Sequence, residues 1–164
     1  MVMGAEQTNG TTNRQLGPEA IRQRLPHRYP FLMIDRVLDY TPGESLSAVK
    51  NVSAAEPWVP GHFPEKTVMP GVLLVESMAQ ACGLLAYVTR EAEPAAEMPS
   101  TPPLFYLVGV DDVRFKQPVG PGDSPRITAT LDRVVRGIWL FKARVDLNDR
   151  LVTSAGIRCT MEAA

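Results

Sequence analysis

His62 and Glu76 are the two side chains whose types and settings favour proton transfer. His62 lies in the segment Gly61-His62-Phe63-Pro64, where flanking prolines stiffen the chain. Glu76 is the one charged residue in the apolar stretch Met69–Val88. An imidazole can act as a general base near neutrality, and a buried carboxylic acid that keeps its proton can act as a general acid. The pair therefore predicts acid–base chemistry at one site, and the alternative is a structural role for either residue.

Gly71 adds a third element to this candidate site. Pro70 pre-sets the backbone for a first helical turn, so we expect a helix to begin here. The first N–H groups of a helix have no partner within it, and the helix dipole favours negative charge at that end. Glycine also allows a close approach to the backbone. The Gly71 N–H is therefore predicted to stabilise charge on a carbonyl oxygen, although the sequence does not identify the ligand.

The stretch Met69–Val88 has the length and composition of one buried helix, about 30 Å long at 1.5 Å per residue. Strand patterns lie on both sides of this stretch in the sequence. One predicted strand, Phe31–Tyr40, precedes the helix, and another, Leu104–Phe115, follows it. A hairpin is predicted near the C-terminus, where apolar residues alternate with polar ones. One long helix with consecutive antiparallel strands predicts an α+β fold, a curled sheet wrapped around the helix.

Composition places the chain among ordinary globular proteins, with 45% hydrophobic and 21% charged residues. A net charge of -1 and a pI near 6.1 argue against a nucleic-acid binder.

Residues 1–13 are predicted to form a disordered tail without a secretory signal, and residues 14–164 a single domain. Cys82 and Cys159 are predicted to be buried thiols in a reducing compartment, the cytoplasm. Because Glu76 places a charged group in the middle of this apolar stretch, we expect the helix to lie in the core of the protein and not to span a membrane.

Several motifs, in this order, resemble the β-hydroxyacyl-acyl carrier protein dehydratases of the FabZ type. They are LPHRYPFLMIDRV, GHFP, VMPGVLLVESMAQ and FYLVGVDDVRFKQPVGPGD, and the resemblance runs from about Leu25 to Met161. It implies a hot-dog fold and dehydration of a (3R)-hydroxyacyl thioester to the trans-2-enoyl thioester in fatty acid synthesis. It also implies homodimers with two sites at their interface, often assembled as a trimer of dimers.

The resemblance also assigns roles to individual residues. His62 is similar to the family's catalytic base, Glu76 to its acid, and Gly71 to the glycine whose N–H binds the thioester carbonyl. Tyr106 falls where relatives can have a tyrosine that gates the acyl tunnel. The related dehydratase/isomerases usually carry Asp at the acid position, so Glu76 favours plain dehydration without excluding isomerase activity.

No metal or organic cofactor is required by this chemistry. The substrate would be carried by an acyl carrier protein, an acidic partner in the family. A basic docking patch for it is one hypothesis, and ordinary solvated strand charges are the alternative. The patch would consist of Arg114, Lys116, Arg133 and Arg136, and the acyl tunnel would be lined by Leu73, Met78 and Leu85.

Two other classes of function remain open at this point. A hot-dog thioesterase would hydrolyse the thioester, with Glu76 activating water. A non-catalytic acyl-binding subunit would lack the His62 and Glu76 pair, which this chain has. Chain-length preference and the choice between dimer and hexamer are not determined by the sequence.

Overall fold

The computed structural model describes residues 14–94 and 100–162, so the predicted tail at residues 1–13 lies outside the described residues. Within these described ranges, two helices and six strands follow one another. They are α1 (Pro18–Arg22), β1 (Arg36–Thr41), β2 (Ser45–Val49), α2 (Gly71–Glu91), β3 (Phe105–Phe115), β4 (Arg126–Val135), β5 (Ile138–Leu147) and β6 (Arg150–Met161).

The six strands form one antiparallel sheet in the order β1-β2-β4-β5-β6-β3. Two-residue turns join the central strands, Arg136-Gly137 between β4 and β5 and Asn148-Asp149 between β5 and β6. All four turn residues have φ between 50° and 79°, which matches the right-handed twist of the strands they join. The β3 strand returns to the far edge beside β6, and the sheet curls around α2.

Helix α2 is the core of the fold, as predicted from its apolar composition. It packs against β2, β4, β5 and β6, and its side chains are buried almost continuously from Leu74 to Val88. It is long and apolar enough to cross a membrane by length and composition, but 67% of its apolar window is buried inside the protein. The α+β architecture predicted from the sequence is therefore confirmed, with the helix running from Gly71 to Glu91.

Alternation along β5 and β6 also follows the prediction. Inward-facing side chains are buried in β5 at Trp139, Phe141, Ala143 and Val145 and in β6 at Ala155, Ile157 and Cys159. Both cysteines are buried free thiols, as expected. Burial raises the pKa of both, and that of Cys159 reaches about 12, with the negative charge of Glu76 as the lesser cause.

The first predicted strand was placed too early. The prediction began at Phe31, whereas β1 begins at Arg36. The backbone of the preceding segment is bonded to a side chain instead of a neighbouring strand. Met33 N–H donates to Gln80 Oε1 at 2.8 Å, and Gln80 Nε2 donates to the Phe31 carbonyl at 2.7 Å. Residues 31–34 therefore form an irregular segment lying against α2.

A buried ion pair anchors the beginning of the long loop between β2 and α2. Lys50 is 6% exposed, and its Nζ lies 2.5 Å from Glu56 Oε1 and 3.6 Å from Asp35 Oδ2. Nζ also donates to the Asn51 carbonyl. A buried charge is tolerated only when it is paired in this way, so the pair holds the loop against the sheet.

We expect Lys50→Ala to lower the free energy of unfolding by about 3 kcal/mol, because it leaves the largely buried Glu56 carboxylate without its partner. Lys142→Ala, at an exposed position on β5, is the matched control and should change stability by less than about 0.5 kcal/mol. Urea denaturation followed by circular dichroism measures both. Equal stability of the two variants would contradict a structural role for the ion pair.

Candidate active site

His62 is held in place mainly by the backbone of its own loop. Its N–H donates to the Trp58 carbonyl at 3.1 Å, and the Val68 N–H donates to the His62 carbonyl at 3.0 Å. The ring nitrogen Nδ1 lies 2.7 Å from the Val68 carbonyl oxygen. A carbonyl oxygen can only accept, so Nδ1 carries the hydrogen and Nε2 keeps a lone pair when the ring is neutral. The arrangement prepares Nε2 to take up a proton.

Gly71 lies in the same pocket as His62. This pocket has a volume of about 570 Å³, and Val72, Phe115 and Lys116 also line it. A Cβ atom at position 71 would lie 2.8 Å from Cε1 of Phe115, which is closer than real contacts allow. Glycine at this position therefore lets the aromatic ring of Phe115 lie against the helix start. The predicted approach of a substrate to the Gly71 backbone stays a prediction.

The helix start also leaves N–H groups available at this pocket. Helix α2 begins at Gly71, and the first N–H groups bonded to its opening carbonyl are those of Leu73 and Leu74, which both donate to Pro70 O. The N–H of Gly71 precedes them and has no possible partner within the helix. An anion or a polarised carbonyl oxygen is favoured at such a position.

Glu76 lies five residues after Gly71 on α2 and lines a different, smaller cavity. The cavity has a volume of about 60 Å³, and Leu25, His27, Gln80 and Cys159 are among the residues that line it. The Glu76 side chain is 21% exposed. Its Oε1 accepts a hydrogen bond from Gln80 Nε2 at 2.7 Å and lies 3.4 Å from His27 Nε2. Oε1 thus accepts one hydrogen bond, from Gln80, and has a second nitrogen nearby, from His27.

Within one chain, His62 and Glu76 line separate cavities. The larger one includes His62 and Gly71 but not Glu76, and the smaller one includes Glu76 but neither of the others. One chain thus brings the candidate base together with the candidate carbonyl-binding N–H, and it holds the candidate acid elsewhere.

The residues assigned to the acyl tunnel lie in different settings. Leu73 is half-buried, whereas Met78 and Leu85 have no exposed surface and belong to the core. Tyr106 is 48% exposed and lines neither cavity. Its hydroxyl donates to the Glu162 carboxylate at 3.1 Å, and this bond, followed by the carboxylate charge, raises the pKa of Tyr106. The tunnel and gate roles stay predictions.

The four basic residues of the predicted docking patch do not form one cluster within the chain. Arg114 on β3 is paired with Ser154 of β6, whereas the turn that contains Arg136 lies beside Thr160 of β6. The span from Ser154 to Thr160 is roughly 20 Å at about 3.3 Å per residue. Arg133 lies near Arg136 and forms an ion pair with Asp132. Lys116 lines the His62 pocket, and the docking patch stays a prediction.

Of the two residues that contact the Glu76 carboxyl group, one can be predicted from the sequence and the other cannot. Gln80 follows Glu76 by one helical turn, and that spacing already placed it on the same face. His27 lies between Pro26 and Pro30, and the sequence around it shows no partner for the imidazole. Its contact with Glu76 joins segments that are distant in sequence, so no local pattern could have revealed it.

Comparisons with known proteins agree with this architecture. A family model described as a FabA-like domain matches residues 25–156. The 3-hydroxyacyl-[acyl-carrier-protein] dehydratase FabZ of Alkalilimnicola ehrlichii is 49% identical over 144 residues, covering 88% of this chain and 90% of the relative. The protein of the same name from Thioalkalivibrio sulfidiphilus is 52% identical over 139 residues, covering 85% and 92%.

Solved structures with lower identity share the fold. The dehydratase heterocomplex ApeI:P from Xenorhabdus doucetiae matches with a TM-score of 0.73 and 19% identity, covering 87% of this chain and 91% of that one. A hypothetical thioesterase from Streptococcus pneumoniae, solved with coenzyme A, matches with a TM-score of 0.56 and 10% identity, covering 76% and 83%. With the FabA-like match, these likenesses confirm the hot-dog fold.

The hydrogen bond between His62 Nδ1 and the Val68 carbonyl gives an expectation for NMR. In protein labelled with ¹⁵N at histidine, the neutral ring of His62 should show a protonated Nδ1 and a bare Nε2 in long-range proton–nitrogen correlation spectra. The variant His62→Gln identifies the resonances by their loss. A neutral His62 ring with its hydrogen on Nε2 would contradict the arrangement described above.

Proposed function

This chain belongs to the family of FabZ-type 3-hydroxyacyl-[acyl-carrier-protein] dehydratases, and we propose that its two cavities jointly carry out this dehydration at a subunit interface. The activity is removal of water from a 3-hydroxyacyl thioester carried by acyl carrier protein, giving the trans-2-enoyl thioester in fatty acid synthesis. The observation that carries the assignment of roles is the bond from His62 Nδ1 to the Val68 carbonyl. It leaves Nε2 as a base in the pocket that also contains the Gly71 N–H.

His62 begins the reaction at the carbon next to the thioester carbonyl. Nε2 uses its lone pair to take the proton from C2, and the electrons of that C–H bond move toward the carbonyl. Negative charge then develops on the thioester oxygen, where the Gly71 N–H donates a hydrogen bond to it. The helix dipole adds to this stabilisation.

Glu76 completes the elimination at C3. The electron pair returns to form the C2=C3 double bond, and the C3–O bond breaks with its electrons remaining on the oxygen. Protonated Glu76 gives its proton to this oxygen, which leaves as water instead of hydroxide. The products are the enoyl thioester, water, a protonated His62 and a Glu76 carboxylate. Return of the proton from His62 to Glu76 restores the starting state.

The two residues are proposed to meet across a homodimer interface. The separate cavities lined by His62 and Glu76 within one chain support this proposal, because a second copy can bring the two residues together. The β3 strand supports this arrangement, because among the described strands it lies at the edge of the sheet and pairs with β6 alone. Leu107 and Val108 on β3 are 45% and 51% exposed. An apolar edge of this kind favours pairing with another chain.

Acyl carrier protein is proposed as the partner that delivers the substrate, and the cytoplasm as the location. Lys116 supports carrier docking at the His62 side, because it is exposed and lines the same pocket. A positive charge at the pocket rim would attract an acidic carrier protein and raise its association rate. Arg114, two residues earlier on β3, is exposed as well.

We expect His62→Ala and Glu76→Gln each to reduce dehydration by at least about 100-fold, since each removes a positioned acid or base. Enoyl absorbance with 3-hydroxybutyryl and longer hydroxyacyl thioesters measures the rate. Glu19→Gln, at an exposed position of α1, is the matched control and should keep full activity. Release of free thiol without enoyl product would indicate a thioesterase and overturn the proposal.

Mixed dimers test whether the two residues come from different subunits. Inactive His62→Ala and Glu76→Ala proteins are dissociated, mixed in equal amounts and reassembled. Random pairing makes half of the dimers mixed, and each mixed dimer has one site with both residues intact, so about a quarter of wild-type activity should return by the two-fold symmetry. No recovery, with mixed dimers detected by mass spectrometry, would place both residues of a site in one chain.

A further inference from the structure

His27 and Gln80 both approach the same oxygen of Glu76. Gln80 Nε2 donates to Oε1 at 2.7 Å, and His27 Nε2 lies 3.4 Å from that atom. The hydrogen bonds made among the described residues do not involve the other carboxyl oxygen, Oε2. In the Glu76 carboxyl group, Oε1 therefore faces the nitrogens of Gln80 and His27, and Oε2 is available to a substrate.

The segment that carries His27 is anchored on both sides. The Arg28 guanidinium donates to the carbonyls of Leu25 and His27, at 2.8 and 2.7 Å. Further along, the Gln80 side chain bonds to the backbone of Phe31 and Met33. These contacts fix the backbone before and after His27, so the imidazole is held against α2 by the fold and does not reach Glu76 as a mobile side chain.

We propose that His27 is a positioning residue for the reaction, which together with Gln80 keeps the acidic proton of Glu76 on Oε2. This inference rests on the proposed role of Glu76 as general acid. An oxygen that receives an N–H must offer a lone pair, so donors at Oε1 place the carboxylic hydrogen on the opposite oxygen. After the proton has been given away, the same donors stabilise the carboxylate.

The state of the imidazole agrees with this role. Burial lowers the pKa of His27, and the nearby Arg28 charge lowers it further, while Glu76 acts in the opposite direction. A neutral ring has one N–H, and the buried Nδ1 has no hydrogen-bond partner among residues 14–94 and 100–162. An unpaired acceptor is tolerated more readily than an unpaired N–H. The hydrogen is therefore placed on Nε2, where it faces Glu76.

Two substitutions separate this role from simple packing. His27→Leu removes both nitrogens and should lower kcat for dehydration by about 10- to 100-fold with KM changed by less than about 3-fold, because the interaction matters when the proton is transferred. His27→Gln places an amide N–H near the position of Nε2 and should recover most of the lost kcat. Arg22→Leu, an exposed position in α1, is the control and should keep wild-type kinetics. Equal losses in the Leu and Gln variants, with both folded by circular dichroism, would overturn the proposal.

A substrate that needs no acid provides the second test. 3-Chlorobutyryl-pantetheine loses HCl by elimination, in which His62 takes the C2 proton and chloride leaves with the electrons of the C3–Cl bond. We expect His27→Leu and Glu76→Gln to eliminate HCl at close to the wild-type rate, whereas His62→Ala should not. A similar loss on the chloro and hydroxy substrates would show that His27→Leu damages the whole site, and would contradict a role through Glu76.

The double variant His27→Leu/Glu76→Gln distinguishes failure of this inference from failure of the proposed function. If His27 acts through Glu76, the double variant should dehydrate no more slowly than Glu76→Gln alone. A further loss of about 10-fold or more would give His27 an independent role and overturn the inference. Retention of dehydration by Glu76→Gln alone would instead overturn the assignment of Glu76 as the acid.

Discussion

Helix α2 carries a carboxyl group, Glu76, among apolar side chains at the centre of the fold. A carboxyl group taken out of water costs several kcal/mol unless polar groups of the protein replace its hydration. Gln80 supplies one such group and His27 lies beside it. Gln80 is itself buried and uses its other bonds to hold the irregular segment at residues 31–34. The side chain that hydrogen-bonds to Glu76 thus also holds the segment that leads into the sheet.

The same helix contributes to both cavities of the candidate site. Gly71 lines the pocket that contains His62, and Glu76 lines the smaller cavity. A single chain with both groups in one cavity would need no partner for its chemistry. With the groups apart, and with β3 exposed as an edge strand, folding supplies two half-sites and association is proposed to join them. Catalysis and dimer stability are then linked through one surface.

The elements predicted best from the sequence are those determined by local composition. Helix α2 follows from its apolar run, and the β5–β6 hairpin from its alternation of buried and exposed residues. The start of β1 was wrong because a side chain from α2 takes the backbone hydrogen bonds that a strand would have used. The contact of His27 with Glu76 and the separation of Arg114 from Arg136 depend on how distant segments pack, which no single stretch of sequence contains.

His62 and Glu76, the proposed base and acid, are held in different ways, and this difference has consequences for how the candidate site tolerates change. His62 Nδ1 donates to the Val68 carbonyl, a backbone acceptor that any residue at position 68 would supply. Glu76 is oriented by the side chains of Gln80 and His27, whose nitrogens are lost on substitution by apolar residues. Substitutions around His62 therefore alter the shape of the pocket, while the backbone acceptor for Nδ1 stays in place. Substitutions at Gln80 or His27 remove groups that contact the Glu76 carboxyl, so the setting of Glu76 depends more on neighbouring side chains than that of His62 does.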